Sequence, residues 1–284
     1  MTTRLDVALV ERGLARSRTA ARAAIEEGRA RVAGRVVLKP AHPVAEDAAL
    51  AIDADDGYVS RAAHKLLAAL DATAREGAAL RVEGALALDL GASTGGFTQV
   101  LLERGARQVI ALDVGHGQFA PALRADARVV VVEGENARAL TAERLADVSG
   151  VAERPDLVVG DLSFISLTLV LPAIVATVGA EVPLVLLIKP QFEVGRQGIR
   201  EGVVRDADAR ADAIMGVLWA AHDLGLRADT IVPSPLPGAH GNLEFLAVFR
   251  SAVGRSPSQW RGDVDALAHG RAPTTPDSRT QESS

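Results

Sequence analysis

Ala87-Leu88-Asp89-Leu90-Gly91-Ala92-Ser93-Thr94-Gly95-Gly96-Phe97-Thr98 reads as a buried strand, a glycine turn and the first turn of a helix. Leu86, Leu88 and Leu90 are strand-like, and Gly91, Gly95 and Gly96 allow positive φ and close approach of the backbone to a ligand. From Phe97 to Leu102 the apolar residues return at helical spacing. Further strands are expected at Arg107–Asp113, Arg128–Val132, Asp156–Gly160, Val182–Ile188, Ala228–Val232 and Leu243–Phe249, with helical segments between most of them. Alternation of this kind predicts an α/β fold with a mostly parallel, seven-stranded, Rossmann-like sheet covered on both faces. The last two strands are joined by the proline-rich loop Pro233–Gly238 rather than by a helix, so an antiparallel pair is expected at one edge.

The glycine spacing meets neither the Gly-x-Gly-x-x-Gly dinucleotide fingerprint nor the Gly-Lys-Ser/Thr of a phosphate loop. Asp89, read as part of the turn, would repel a phosphate but suits a ligand carrying an ammonium and a sulfonium, which is the chemistry of S-adenosylmethionine. Asp113 ends the next strand 24 residues beyond Asp89. An acid at about 20 residues receives a ribose hydroxyl in doubly wound folds, a need shared by adenosine cofactors.

The chain has 284 residues, 48% of them hydrophobic, enough for one large domain and a small one. It contains no Cys, which excludes a disulfide framework, a thiolate metal site and the cysteine nucleophile used to methylate a pyrimidine carbon. No metal site is expected. The N-terminal residues lack an apolar signal core and the run Leu184–Ile188 is too short to span a bilayer, so a cytoplasmic location and no membrane partner are expected.

The net charge of −5 is unevenly spread: residues 1–40 hold nine basic residues against four acidic ones. Two short helices, one around Leu5 to Leu14 and one capped by Ser17, precede a hairpin turning near Gly34. Arginines from Arg16 to Arg35 would line one side of this module and contact phosphates. An acidic linker, Asp53–Gly57, forms a boundary, giving 1–57, 58–250 and a tail, 251–284, expected to be disordered with Trp260 docking on the body. Only Lys39, Lys65 and Lys189 are lysines, so a retained lysine is a candidate for work that arginine cannot do, such as losing a proton.

Ligands of open α/β sheets bind at the carboxyl ends of the strands, and the unusual polar residues fall there. Asp161 follows the fourth strand, Lys189 emerges from the tip of a buried one, and Glu244 stands in an apolar strand where it needs a cation. Lys65 borders the apolar stripe of a helix.

The N-terminal motifs Arg4-Leu5-Asp6, Ala15-Arg16-Ser17-Arg18-Thr19-Ala20-Ala21 and Val32-Ala33-Gly34 resemble the small RNA-binding domain first known from ribosomal protein S4, with Ala33 where Asn is common. Lys65, Asp161, Lys189 and Glu244, together with Asp89–Phe97, resemble the Lys-Asp-Lys-Glu set of the FtsJ-like ribose 2′-O-methyltransferases. Tyr58-Val59-Ser60-Arg61, Asp161–Ser166, Ile188–Glu193 and Gly241–Phe245 are similar to blocks of the TlyA (hemolysin A) family of ribosomal RNA 2′-O-methyltransferases. That resemblance implies a class I methyltransferase sheet, and methyl transfer from S-adenosylmethionine to a ribose 2′-hydroxyl of ribosomal RNA, free or within ribosomal subunits. Cofactor-binding residues are then Asp89, Gly91, Ser93, Gly95, Gly96, Phe97, Asp113 for the ribose and Asn136 near the adenine. RNA-binding residues are Arg4, Arg16, Ser17, Arg18, Arg22, Arg29 and Arg31.

A ribose hydroxyl attacks poorly while protonated, so a base within hydrogen-bond reach is useful. Lysine's reference pKa of ~10.4 is lowered by a neighbouring cation and by desolvation, which suits Lys189 as base and Lys65 as its cationic partner, with Asp161 and Glu244 as orienters. Two other readings stay open: a non-catalytic RNA-binding ribosome-assembly factor, and a membrane-active cytolysin.

Overall fold

The computed structural model describes residues 2–26, 28–53, 56–195, 202–238 and 241–272, and the chain divides into two compact units at Arg61/Ala62. The first unit runs β1 (Thr2–Arg4), α1 (Leu5–Glu11), α2 (Arg18–Glu26), β2 (Ala30–Val32), β3 (Arg35–Val36), β4 (Pro43–Ala45) and β5 (Leu50–Ile52). The Ser17 hydroxyl caps α2 by accepting the Ala20 N–H at 3.1 Å. β2 lies at the centre of an antiparallel sheet ordered β3-β2-β5. Its hairpin turns through Ala33 and Gly34, both at positive φ (48° and 78°), the geometry in which Asn is easier to accommodate than Ala. Leu5, Leu9, Ala21, Ile25, Ala30 and Val44 form the buried core.

The second unit begins with α3 (Ala62–Arg75) and continues β6 (Leu86–Leu90), α4 (Gly96–Glu103), β7 (Gln108–Asp113), α5 (Pro121–Arg124), β8 (Val129–Glu133), α6 (Ala142–Ser149), β9 (Leu157–Gly160) and α7 (Leu167–Val178). It is completed by β10 (Leu184–Ile188), α8 (Pro190–Glu193), α9 (Ala207–Asp223), β11 (Arg227–Pro233), β12 (Phe245–Arg250) and α10 (Pro257–Ala268). Seven strands form one sheet in the order β11-β12-β10-β9-β6-β7-β8. The five from β8 to β10 are parallel, and β12 runs antiparallel between β10 and β11. Every residue of β6 and β10 is buried, as strands covered on both faces require.

Two expectations are corrected. Asp89 is the fourth residue of β6, not part of the turn, because the strand stays paired with β7 and β9 through Leu90. The stretch after Arg250 begins with a helix rather than disorder. Ser256 and Gln259 make a reciprocal capping box around Pro257, and Trp260, Val264, Leu267 and Ala268 bury one face of α10. Trp260 docks as expected, its Nε1–H donating to the Ala228 carbonyl at 3.0 Å. Residues 273–284 of the expected tail lie outside the described residues. No helix among the described residues is long and apolar enough to cross a membrane.

Candidate active site

The carboxyl ends of β6, β7, β8 and β9 open onto a cleft of about 500 Å³ lined by Gly91, Ser93, Asp113 and Asn136 and by Asp161, Ser163, Phe164 and Ile165. Gly91 has φ 76°, and a Cβ there would stand 2.8 Å from the Asp161 carbonyl oxygen, so the turn has to be glycine. Gly95, at φ 99°, is demanded differently: a Cβ would meet Leu123 at 2.6 Å and Phe119 at 3.0 Å. It serves packing beneath the turn.

Asp113 accepts the Ser93 N–H at 2.8 Å through Oδ2 and the Gly115 N–H at 2.7 Å through Oδ1. Its carboxylate therefore has a fixed orientation on the cleft wall while each oxygen keeps a second lone pair. Asn136 accepts the Arg138 N–H at 3.0 Å, which caps the short 3₁₀ turn Ala137–Ala139. Asp89, Gly96 and Phe97 are buried and do not line the cleft. The Thr98 hydroxyl donates to Asp89 Oδ2 at 2.7 Å, and Oδ1 has no partner among the described residues. Burial raises the Asp89 carboxyl to about 7, against the opposing effect of Thr98.

Behind Asp161, which lines the cleft, α3 supplies Lys65 and the tip of β10 supplies Lys189. Glu244 immediately precedes β12, one residue outside the strand in which it was expected. Lys189 Nζ lies 2.6 Å from Asp161 Oδ1, Lys65 Nζ lies 3.7 Å from Asp161 Oδ2, and Lys65 donates to Glu244 Oε2 at 2.7 Å. The four predicted residues thus form one alternating chain, Lys189-Asp161-Lys65-Glu244, with both lysines buried. Burial pushes the Asp161 carboxyl up, but the ammonium groups of Lys189 and Lys65 more than offset it, leaving it below the usual carboxylate range.

Three neighbours went unread in the sequence. Lys189 donates to the Ser163 hydroxyl at 2.7 Å, and Gln191 donates to Glu244 Oε1 at 3.1 Å. Each stands two positions beyond a predicted residue, at a strand exit, where a polar side chain was the available signal. Phe164 is 91% exposed with φ 64°, and its ring lies 5.3 Å from that of Phe192. An exposed aromatic in the left-handed region has no counterpart in residue spacing.

In the first unit, three of the predicted RNA contacts converge on buried Asp6: Arg4 at 2.9 Å, Arg18 at 3.1 Å and Arg22 at 3.7 Å. Arg31 pairs with Asp53 at 2.7 Å. Arg16 is exposed with no ion pair among the described residues, Arg29 is half-buried, and Ser17 serves the helix cap.

Residues 58–251 match the model of the FtsJ-like methyltransferase family, and residues 3–50 match the S4 domain. The chain is 47% identical to a protein of Mycobacterium tuberculosis named 16S/23S rRNA (cytidine-2′-O)-methyltransferase TlyA, over 93% of this chain and 95% of that one. It is 38% identical to hemolysin A of Brachyspira hyodysenteriae, over 87% of this chain and 99% of that one. A solved structure of a hemolysin-named protein from Streptococcus thermophilus superposes with a TM-score of 0.71 at 34% identity, covering 95% of this chain and 96% of that one.

Proposed function

Since this chain belongs to the FtsJ-like methyltransferases, and among them to the TlyA family of ribosomal RNA 2′-O-methyltransferases, we propose that it methylates a ribose 2′-hydroxyl of ribosomal RNA, of the cytidine-2′-O type, with S-adenosylmethionine as donor. The observation that carries this reading is the alternating chain of Lys189, Asp161, Lys65 and Glu244, which meets the glycine-turn cleft at Asp161.

The cleft fits the cofactor chemically. Gly91 lines the cleft with its turn packed against the Asp161 backbone, Asp113 offers oriented carboxylate lone pairs to a ribose diol, and Asn136 borders the cleft for the base. S-adenosylmethionine, when bound, supplies an electrophilic methyl group on sulfur. Gly91 and Ser93 with Asp113 hold the cofactor, while Gly95, Gly96, Phe97 and Asp89 support the turn from beneath.

Lys189 accepts the 2′-hydroxyl proton at Nζ as the oxygen attacks. Asp161 at 2.6 Å and the Ser163 hydroxyl at 2.7 Å hold the Lys189 amine in place for that transfer. Lys65 pairs with Asp161, whose lowered pKa keeps the carboxylate from competing for that proton, and Glu244 with Gln191 fixes Lys65. Phe164 offers an exposed face on which the base of the target nucleotide stacks. The N-terminal unit, with Arg16 and the outward sides of Arg4, Arg18, Arg22, Arg29 and Arg31, contacts RNA phosphates, and the cytoplasm, where ribosomes are found, is the place of action.

Purified protein incubated with tritiated S-adenosylmethionine and either ribosomal subunits or their RNA is expected to place label in alkali-resistant dinucleotides, and Lys189→Ala is expected to abolish it. Wild-type protein that binds RNA yet labels neither substrate would instead mark a non-catalytic assembly factor.

A further inference from the structure

The segment Asp161–Ser166 carries Asp161, Ser163 and Phe164, and both its ends are tied to the stretch that leaves β10. At its start, Asp161 is paired with Lys189 at 2.6 Å. At its end, the Glu193 carboxylate accepts the Leu167 N–H at 2.8 Å through Oε1 and the Ser166 hydroxyl through Oε2. The hydrogens can be assigned. Ser166 has one, which goes to Glu193, so its oxygen accepts both the Thr168 N–H at 3.1 Å and the Thr168 hydroxyl at 2.7 Å. Residues 161–166 and 189–193 therefore close a ring, with an ion pair at one end and a two-bond latch at the other.

Midway along the arch is Phe164, whose φ of 64° is strained for a residue bearing a Cβ. Such a conformation persists only where the surrounding structure fixes both flanks. Capping accounts for only half of Glu193: one oxygen takes the Leu167 N–H, which Ser166 leaves free in capping α7 through the Thr168 N–H, while the other accepts from the Ser166 side chain. Nor is its placement free of cost: burial pushes the Glu193 carboxyl above its usual range despite the bonds from Ser166 and Leu167.

We propose that Glu193 is a positioning residue of the reaction: by latching Ser166 and Leu167 it holds the arch so that Ser163 stays on Lys189 and Phe164 stays presented to the target nucleotide. The proposal rests on the methyltransferase reading above. The carboxylate is specific to the task, since two donors converge on its two oxygens. Glutamine has one acceptor oxygen and can keep only one of the bonds.

The test uses the full chain with Glu193→Ala and Glu193→Gln, each alone and combined with Phe164→Ala. Turnover on ribosomal RNA, S-adenosylmethionine affinity by calorimetry and the thermal midpoint are measured. Glu193→Ala is expected to lower kcat about 100-fold, the scale of a small misplacement of reacting groups, with far smaller changes in cofactor affinity and midpoint, which follow from the arch lining the cleft and from the lost bonds to Ser166 and Leu167. Glu193→Gln should fall between Ala and wild type. The double variants should lose less than the product of the single losses, because both changes act through the same arch.

Multiplicative losses, or a fall in cofactor affinity and midpoint that parallels kcat, would show a merely structural role and overturn the proposal. If Glu193→Ala does not fold, Glu193→Gln and its combination with Phe164→Ala decide the matter on their own. Wild-type turnover separates the two levels. An inactive wild type overturns the enzyme reading and the latch with it, whereas an active wild type with an equally active Glu193→Ala overturns the latch alone.

Discussion

Two carboxylates, one in each unit, are ringed by cations, and they differ in what the cations are able to do. Asp6 has no exposed side-chain surface and gathers Arg4, Arg18 and Arg22, whose own side chains are 44%, 58% and 56% exposed. Asp161 gathers Lys189 and Lys65, each with a side chain only 9% exposed. Around Asp6 the guanidinium groups are always charged and their forked donors pin β1, α1 and α2 together. With three cations for one anion, the outward face stays positive. Around Asp161 the partners can give up a proton, and Glu244 balances the second amine. The same motif, an acid among bases, is a clamp where the bases are Arg and exposed, and in the reading proposed above it is a reaction centre where they are Lys and enclosed.

The largest expected effect lies at the second cluster. Lys189→Arg keeps the charge on Asp161 but removes a group that can act as base, and methyl transfer should fall by about 10²–10⁴-fold. Near-normal turnover would make the two clusters equivalent and sink the base assignment.

Asp89, a third buried carboxylate with a hydroxyl as its partner, calibrates the comparison. Its pKa is raised to about 7 in the folded chain, so the folded state binds a proton more tightly than the unfolded one. Its contribution to stability is therefore full below the ordinary carboxylate range and is lost as pH rises to neutrality. Between pH 5 and 8 this amounts to a loss of about 2–3 kcal/mol, which Asp89→Asn should remove in urea titrations. An unchanged pH slope in that variant would refute the assignment.

At the first cluster, the Arg4 hydrogen bond holds the Asp6 carboxyl below its usual range against burial, with Arg18 assisting. Its contribution is present at neutral pH and is lost as pH falls through the lowered pKa. Asp6→Asn should cost about 2 kcal/mol in the stability of the N-terminal unit while leaving S-adenosylmethionine affinity intact, measured by denaturation and calorimetry. The smallest effect separates clamp from footprint. Arg16→Ala should reduce the salt slope of RNA binding by about 1 without changing stability, whereas Arg18→Ala should alter both. Equal stability losses in the two would mean that Arg16 is also part of a clamp.

The seven-stranded, mostly parallel sheet with its antiparallel edge pair and the four polar residues were legible because they rest on apolar runs that end in polar residues, and because lysine is scarce enough for Lys65 and Lys189 to stand out. What escaped depends on angles and on pairings distant in sequence. Asp89 sits one position from a glycine turn, and only the register of β6 on its neighbours decides that it is buried. The positive φ of Phe164 and the reach of Glu193 to Ser166 leave no periodic trace. For α10 a signal was present, the Ser256-Pro257-Ser258-Gln259 capping box followed by apolar residues at helical spacing, but the polar composition of the surrounding tail outweighed it. The arginines of the first unit were read as a footprint because charge can be counted from sequence, while the depth of Asp6 cannot.

Inserting β12 between β10 and β11 has a consequence for how the molecule comes into being. Glu244 lies 179 positions from the Lys65 amine it holds. During synthesis Lys65, Asp161 and Lys189 all emerge before it, and the parallel strands can pair while the edge is still missing. A nascent chain at that stage has two amines sharing one acid. The four-residue chain is completed only at the start of one of the last strands to be translated, so a truncated polypeptide that already possesses the glycine turn and both lysines still lacks the carboxylate that holds Lys65.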